Sequence, residues 1–194
     1  MARDRSTRPE ARPLRLFVAV DVPEEVRDRL AKTVALHRDR VPGARWAPPE
    51  NWHVTLKFLG SVDPPLLDWV LSSVGEAASE HIPFMARLSA MGAFPSAKRA
   101  RVVWAGLEDR HGELVSLARS VDRTLEREFP AEQRPFSPHL TLARLKEQAA
   151  LPEDVLSLDV KSDPFRIATL RLYRSYLGRP SARYEVLREF PLSG

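Results

Sequence analysis

The 194-residue sequence predicts an α+β fold, on three observations. Short β-rich runs and longer stretches with helical apolar spacing are mixed along the chain, without the strict strand–helix alternation of a doubly wound sheet. Hydrophobic residues make up 43% of the chain and charged residues 29%, which is the balance of a globular protein. A four-residue pattern recurs a little under half the chain length further on, which suggests two related lobes.

The first half of the chain predicts a strand, a helix, a strand and a helix. Residues 14–20 form an apolar, β-rich run, and Pro23 suits the first turn of the helix that follows. We expect this helix to end before Pro42, because proline and then glycine occur there. Residues 52–59 predict the second strand, and Asp63 with two prolines opens the second helix.

The second half continues with more strands than helices. Apolar runs predict strands near residues 84–91 and 101–105, separated by a turn or loop at 92–99. A helical apolar stripe predicts a third helix from about residue 110 to 128. Further strands are expected at 139–142, near 165–173 and near 183–190.

The beginning of the chain differs in composition from the rest. Residues 1–12 are charged, carry four arginines and contain no apolar run, so we expect a flexible basic tail followed by a single domain at 13–194. No stretch approaches the roughly 18–20 apolar residues that a membrane helix requires, and the first apolar run after the basic start is only LRLFVAV, unlike the longer stretch of a signal peptide. We therefore expect a cytoplasmic protein that does not bind membranes.

Composition excludes several kinds of site. The absence of cysteine rules out a disulfide scaffold, a thiolate zinc site, an iron–sulfur cluster and a cysteine nucleophile. The net charge of +4 is too small to indicate nucleic-acid binding by itself. The basic residues are 25 arginines and only 5 lysines, which leaves room for an anionic ligand because arginine matches phosphate geometry well.

The recurring pattern is a histidine and a threonine that alternate with apolar residues. The first motif is His53-Val54-Thr55-Leu56, and the second motif is His139-Leu140-Thr141-Leu142. Residues i and i+2 of a strand point to the same face. Each motif should therefore present its histidine and threonine on one face and its two apolar residues to the core.

Two such pairs suit displacement at phosphorus. An imidazole has an ordinary pKa near 6.5, so at neutral pH one histidine can accept a proton from the nucleophile while the other donates one to the leaving group. The threonine hydroxyls can bind the non-bridging oxygens between them. Because the repeat is nearly symmetric, the residues alone leave open which histidine is the acid and which is the base.

The motifs and their surroundings resemble the two-histidine (2H) phosphoesterases, and among them the bacterial RNA 2',3'-cyclic phosphodiesterases, also called 2'-5' RNA ligases. The resemblance covers most of the chain from residue 14 onward and includes LRLFVAVDVP, NWHVTLKFLG, RVVW, RPFSPHLTLAR and LYRSYLGRPSARYEVL. It implies a bilobal fold, in which two pseudo-symmetric lobes of antiparallel sheet with outer helices surround a central cleft. It also implies hydrolysis of a terminal 2',3'-cyclic phosphate on RNA to a 2'-phosphate, without a metal or other cofactor.

The same resemblance implies roles for individual residues. His53 corresponds to the proton donor and His139 to the proton acceptor, while Thr55 and Thr141 would hold the phosphate. Arg144 would clamp the phosphate, although strict alternation places it on the face opposite His139 unless a bulge intervenes.

Other side chains are weaker candidates for substrate binding. Phe58 and Tyr176, with Phe17, could form a base-stacking surface, but core packing is the favoured alternative for Phe17 and Phe58. Lys57 has the parity of His53, yet a single lysine is more typical of a solvated face. Three further arginines could contact an RNA backbone: Arg134, Arg179 and Arg183.

Several functions remain open at this point. The expected partner is RNA with a 2',3'-cyclic phosphate end, or a related nucleotide, and the protein is expected to be a monomer. The alternatives are an ATP-independent 2'-5' RNA ligase that runs the reverse reaction, a phosphodiesterase for small cyclic nucleotides, and a non-catalytic nucleotide- or RNA-binding module. A metal enzyme is disfavoured, because neither motif contains a carboxylate and two histidines alone bind metal poorly.

Overall fold

The computed structural model describes residues 12–178 and 181–194, which form nine strands and four helices. The strands are β1 (Leu14–Asp21), β2 (Ala44–Trp46), β3 (His53–Val62), β4 (Phe84–Phe94), β5 (Ala100–Asp109), β6 (His139–Ala149), β7 (Phe165–Ile167), β8 (Thr169–Tyr176) and β9 (Arg183–Pro191). The helices are α1 (Glu24–Ala35), α2 (Leu67–Ser79), α3 (Glu113–Leu125) and α4 (Glu153–Leu156). The basic tail expected at residues 1–12 lies outside the described residues, apart from the exposed Arg12.

The strands form one antiparallel sheet whose middle is made by the two motifs. The strand order is β7-β4-β5-β6-β3-β1-β8-β9, and β2 pairs with β6 off this path. The central strands β3 and β6 each begin with a motif, and they pair at one position only, Val54 with Leu140. The series β3-β1-β8-β9 and β6-β5-β4-β7 thus form two topologically equivalent halves on either side of this pair. This is the bilobal α+β fold that the sequence predicts.

The helices cover one face of the sheet and leave the other face for a site. Leu16, Val18 and Val20 of β1 belong to the large core that the helices complete. The alternate residues Phe17 and Ala19 belong to a separate small cluster on the opposite face, which we call the open face.

No helix in the described part of the chain is both long and apolar enough to cross a membrane.

Some element boundaries differ from the predicted ones for local reasons. Helix α3 begins at Glu113 rather than near residue 110, because the Asp109 carboxylate accepts hydrogen bonds from the backbone N–H groups of Glu113 (2.6 Å) and Leu114 (3.1 Å). The strand expected near 165–173 is interrupted at Ala168, whose carbonyl accepts a hydrogen bond from the backbone of Leu192. Strand β2 and helix α4 were not predicted, because elements this short leave little periodicity to detect.

Strand β4 extends to Phe94, through residues that the sequence predicts as a turn or loop. Gly92 lies opposite Trp104 of β5, and the indole ring occupies the space that a β-carbon at Gly92 would need. The glycine is therefore a place of close packing within the strand rather than a turn signal.

Candidate active site

The two motifs meet at the centre of the open face. Val54 and Leu140, the second residues of the motifs, are paired across β3 and β6 and are fully buried in the core. The histidine and threonine of each motif flank this pair and are half-buried on the open face. Because the pairing is antiparallel, each histidine lies beside the threonine of the other motif. One chain therefore brings together all four candidate catalytic side chains.

Each imidazole is held by the backbone two residues before it. The Nδ1 atom of His139 lies 2.7 Å from the carbonyl oxygen of Ser137. A carbonyl can only accept a hydrogen bond, so Nδ1 must carry the proton and Nε2 is the free nitrogen of the neutral ring. The backbone of Asn51, also two residues before the histidine, interacts with His53 and raises its pKa. The loop before each motif therefore supplies a backbone group beside its imidazole.

His53 is enclosed by aromatic rings. It stacks on Phe17 at a centroid distance of 4.7 Å, and Tyr184 meets it edge-on at 5.1 Å. The pKa of His53 is lowered from 6.5 to about 4, mainly by burial; a hydrogen bond with the Asn51 backbone opposes this shift, and repulsion from His139 adds to it. The two imidazoles are therefore close enough to interact electrostatically.

His139 has a comparable but more open environment. Phe94 contacts its ring edge-on at a centroid distance of 5.0 Å, and the Trp104 indole lies 6.2 Å away. Burial lowers the pKa of His139 below its ordinary value, and the nearby Arg144 guanidinium lowers it further. Both histidines are thus biased towards the neutral form when no anion is bound.

A β-bulge interrupts each motif strand at the same point. Thr55 pairs with Ala19 while Lys57 pairs with Val18, so Leu56 has no partner on β1. Leu142 is likewise left without a partner on β5, because the residues on either side of it pair with consecutive residues of that strand. An extra residue reverses the alternation of faces beyond it. The bulges therefore determine which of the later side chains reach the open face.

The bulge at Leu142 turns Arg144 to the open face. Arg144 is exposed there, its charge acts on His139, and it lines a cavity of about 250 Å³ beside the motifs. Strict alternation would have pointed it away from His139, and the bulge brings it to the same face.

Phe58 occupies the corresponding position after the first bulge. Its side chain is 65% exposed and lines the same cavity, so the expectation that it packs in the core is wrong. Phe17 is buried as expected, but in the small cluster against His53 rather than in the main core. The residues lining the cavity are Arg15, Leu16, Phe17, Phe58, Gly60, Arg144, Ser175, Leu177, Ala182 and Tyr184.

Lys57 faces neither the site nor solvent. The first bulge directs it to the helix side of the sheet, where it is buried and forms an ion pair with Asp122 of α3. Its ammonium group also donates a hydrogen bond to the carbonyl oxygen of Pro130 at 2.9 Å. The Asp122 carboxylate in turn accepts the backbone N–H of Glu132 at 3.1 Å. Lys57 is therefore a structural residue beneath the site. It lies neither on the face of His53 nor on a solvated face, the two placements considered from the sequence.

Tyr176 is not brought to the cavity. Its ring is covered by the guanidinium groups of Arg174 and Arg183 at 4.6 and 4.5 Å, and its hydroxyl donates to Glu185 at 2.5 Å. It follows Ser175, a cavity residue, and therefore points to the other face of β8.

The cavity tyrosine is instead Tyr184, which pairs with Ser175 and was not singled out from the sequence. Alternation along β9 indicates which residues share a face with Tyr184. Only the pairing with β8 shows that this face lines the cavity. Arg134 is exposed in the loop before β6, and Arg179 lies outside the described residues.

Asp21 supports the site from β1, and its place there was not predicted from the sequence. It is the cross-strand neighbour of His53, and its carboxylate pairs with Arg171 and accepts the Tyr173 hydroxyl at 2.7 Å. These bonds hold the Tyr173 ring parallel to Phe17, with centroids 5.0 Å apart. The bonds of Asp21 therefore hold the stacked rings of Tyr173 and Phe17 in place against His53.

The other histidines lie apart from this site. His37 bonds to the carbonyl of Thr33 at 3.1 Å, and His81 bonds to the hydroxyl of Ser120 at 2.9 Å. Within residues 12–178 and 181–194, no three histidine or carboxylate side chains are grouped so that they could hold a metal ion.

Sequence comparison places this site in a known family. Residues 20–104 and 107–184 match the family model described as LigT-like phosphoesterase. The chain is 33% identical over 180 residues to the RNA 2',3'-cyclic phosphodiesterase of Archaeoglobus fulgidus, covering 91% of this chain and 99% of that protein. It is 30% identical over 181 residues to the protein of the same name from Geobacillus stearothermophilus, of which it spans 57% of the length.

Solved structures agree with the sequence comparison. A crystal structure of a protein from Thermus thermophilus superposes with a TM-score of 0.78 at 32% identity, covering 93% of this chain and 99% of that one. Escherichia coli LigT in complex with 3'-AMP superposes with a TM-score of 0.73 at 26% identity, covering 94% and 99%. The paired motifs, the two-halved sheet and these matches lead to one conclusion: the chain belongs to the LigT-like phosphoesterases of the two-histidine superfamily.

Proposed function

We propose that this protein is an RNA 2',3'-cyclic phosphodiesterase, which hydrolyses a terminal 2',3'-cyclic phosphate to a 2'-phosphate by acid–base catalysis with two histidines. One observation carries the proposal. His53 and His139 flank the paired residues Val54 and Leu140, and each imidazole has a threonine beside it. In-line displacement at phosphorus needs a base on the side of the nucleophile and an acid on the side of the leaving oxygen. The pseudo-symmetric arrangement of the motifs supplies one imidazole for each side.

The proposed reaction needs only the groups on the open face. His139 takes a proton from water through its free Nε2 while the water oxygen forms a bond to phosphorus. The bond from phosphorus to the 3'-oxygen breaks, and protonated His53 donates its proton to that oxygen. Thr55, Thr141 and the Arg144 guanidinium would hold the non-bridging oxygens, where the negative charge of the transition state develops. The assignment of donor and acceptor rests on the family resemblance.

The cavity beside the motifs supports a nucleotide substrate. Its exposed Phe58 ring and the Tyr184 ring offer aromatic surfaces for a base, and stacking of this kind contributes about 1–3 kcal/mol per base. The relatives named RNA 2',3'-cyclic phosphodiesterase support the reaction class. Escherichia coli LigT complexed with 3'-AMP, NADP+, phosphate and ATP supports a site for nucleotides and phosphate.

We also propose that the protein is a monomer and that it is cytoplasmic. A monomer would suffice for catalysis, since both histidines and both threonines come from one chain. Light scattering on the purified protein would test the monomer. A cytoplasmic protein is compatible with the absence of cysteine, and fractionation of cells that make the protein would test the location.

The position of the phosphate in the product tests the proposal most specifically. The purified protein is incubated with RNA that ends in a 2',3'-cyclic phosphate, in the presence of EDTA, and the product is read by phosphorus NMR. We expect complete conversion to a 2'-phosphate. A 3'-phosphate would contradict the assignment of His53 as donor to the 3'-oxygen, and an unchanged cyclic phosphate would contradict the activity. A second RNA with a free 5'-hydroxyl in the same mixture measures how much 2'-5' ligation competes with hydrolysis.

A further inference from the structure

The Asn51 side chain joins two segments that are far apart in the sequence. Its Nδ2 atom donates a hydrogen bond to the backbone carbonyl oxygen of Ala182, 131 residues further on, at 2.8 Å. Asn51 stands in the turn before His53, and Ala182 directly precedes β9. A carbonyl oxygen can only accept a hydrogen bond, so the amide supplies a donor that a carboxylate of the same shape would lack. We call this bond the Asn51 tie.

Both ends of the Asn51 tie lie against the proposed proton donor. The backbone of Asn51 interacts with the His53 imidazole. Ala182 lines the cavity beside the motifs, and so does Tyr184, which meets the His53 ring edge-on at a centroid distance of 5.1 Å. The tie therefore connects the loop that precedes His53 to the strand that closes one side of its ring.

The turn that carries Asn51 is firmly held, whereas its partner strand lies at the edge of the sheet. The Trp52 side chain is 1% exposed, and its indole donates to the carbonyl oxygen of Ala47 at 3.2 Å. The backbone N–H of Trp52 donates to the carbonyl oxygen of Pro49 at 3.0 Å. Strand β9 ends the strand order, next to β8, and an edge strand is held by ladder hydrogen bonds along one side. The tie thus fixes the start of β9 against a rigid turn.

The alignment of a proton donor depends on small distances. A general acid acts within about 2.6–3.2 Å of the atom that receives its proton. A displacement of about 1 Å can lower a rate about 100-fold. A nucleotide in the cavity would press on the wall at Ala182 and Tyr184, which the tie joins to the loop before His53. Loss of the tie would let this wall move apart from that loop.

We propose that Asn51 is a positioning residue for the proton donor, and that its tie to Ala182 keeps His53 aligned with the leaving oxygen while a nucleotide occupies the cavity. The inference rests on the proposed function and adds a residue to it. Asn51 acts through His53 and the cavity wall rather than on the reacting atoms. Its removal should therefore impair the transfer of the proton to the leaving group more than the attack of water.

The nature of the leaving atom tests this role. Two substrates are compared, a short oligoribonucleotide that ends in a 2',3'-cyclic phosphate and its analogue with sulfur in place of the 3'-oxygen. In the first the P–O bond breaks and the leaving oxygen takes a proton. In the second the P–S bond breaks and a thiolate leaves without a proton, because a thiol is far more acidic than an alcohol, with a pKa of about 8.5. We expect N51A to lower kcat about 10- to 100-fold for the oxygen substrate and less than about threefold for the sulfur analogue.

Two further variants calibrate this comparison. H53A removes the donor itself and should show the same difference between the substrates more strongly. S162A is the matched control, since the Ser162 hydroxyl accepts the backbone N–H of Leu88 at 3.0 Å and so also joins a loop to a distant strand, but in the other half. S162A should leave both kcat values unchanged. Misfolded protein lowers both rates alike, so the ratio of the two kcat values does not depend on it.

The tie can also be observed directly. Asn51 is the only asparagine of the chain, so protein made with isotope-labelled asparagine gives a single pair of side-chain amide signals in NMR. We expect cytidine 2'-monophosphate to shift this pair, because the acceptor Ala182 lines the cavity. Inorganic phosphate alone, which is too small to fill the cavity, should shift it less.

The outcomes separate this inference from the proposed function. If wild-type protein hydrolyses neither substrate, the proposed function fails, and the amide signals still decide whether the tie responds to a nucleotide. Equal losses of kcat on both substrates would overturn the positioning role, because Asn51 would then support the site as a whole. Unchanged kcat values in N51A, or amide signals that the nucleotide does not move, would overturn it as well.

Discussion

His53 lies against aromatic rings that orient it and also remove it from water. Phe17 stacks on one side and Tyr184 closes the edge, so the imidazolium form loses hydration and its pKa falls to about 4. His53, the proposed proton donor, is therefore neutral at pH 7 while the site is free. A phosphate between the imidazoles would favour the charged form, since a nearby opposite charge raises the pKa of a histidine. We therefore expect the donor to take up its proton together with the anionic substrate.

A proton NMR titration of the histidine rings tests this coupling. In the free protein the His53 signals should titrate with a pKa of about 4, and the His139 signals with a pKa below 6.5. Inorganic phosphate should raise both values. The substitution F17A should move the His53 pKa upwards by exposing the ring to water. A His53 pKa at or above 6.5 in free wild-type protein would contradict the burial argument.

The same pKa shift makes folding stability depend on pH. The unfolded chain binds a proton at His53 with a pKa near 6.5, and the folded chain binds it only near 4. Protons therefore favour the unfolded state between these values, and the free energy of unfolding should fall as the pH is lowered from 6.5 towards 4. Urea unfolding of wild type and H53Q across this range measures the effect, which should be smaller in the variant. An equal pH dependence in the two proteins would assign it to other groups.

Phe58 is an exposed aromatic ring on a cavity wall. The substitution F58A should raise the KM for a cyclic nucleotide by about 5- to 150-fold, since a stacked base contributes about 1–3 kcal/mol. Stability should change by less than about 0.5 kcal/mol, because the ring is mostly in solvent. L36A, which truncates an exposed leucine after α1, is the matched control and should leave KM unchanged. A large loss of stability with an unchanged KM would show that the ring packs rather than binds.

At the scale of elements, the two bulges determine which side chains of the motif strands lie on the open face and which lie in the core beneath it. Each motif strand presents its histidine and threonine before the bulge and changes face after it. In the first half this change buries Lys57 beneath the sheet, against Asp122 and the loop that leads to the second motif. In the second half the equivalent position is Ala143, which packs in the core without any charge. One half thus holds the loop of the other through a buried ion pair.

The substitution K57M tests the buried ion pair. It keeps most of the apolar stem but leaves Asp122 and the Pro130 carbonyl without their cation, and we expect a loss of about 3 kcal/mol in the free energy of unfolding. R123A, which breaks the exposed ion pair between Arg123 and Glu80 on the same helix, should cost less than about 1 kcal/mol. Chemical unfolding of the two variants makes the comparison. Equal losses would mean that the burial of Lys57 does not matter.

At the scale of the whole molecule, the sequence predicted the parts that depend on local periodicity. The motif residues, the core-facing Val54 and Leu140 and the division into halves follow from alternation and repetition along the chain. Arg144, Phe58 and Lys57 depend on single extra residues in a strand. The trace of each bulge in the sequence is a change of apolar phase, from Leu56 to Leu59 and from Leu142 to Leu145, which strict alternation does not interpret. Tyr184 could be placed only through its pairing with β8, which is a contact between distant parts of the sequence.

The central claim is that two halves of one chain each contribute one histidine to a single reaction. It is tested most directly by the rate at which wild type, H53A and H139A hydrolyse an RNA 2',3'-cyclic phosphate end in the presence of EDTA. Loss of a general acid or base typically lowers the rate about 10²–10⁴-fold. We expect the hydrolysis rate of each single variant to fall by this factor or more, while the variant remains folded. The double variant should be little worse than either single one, because the two imidazoles act in one step. Turnover that survives at the wild-type rate in both single variants would contradict the claim.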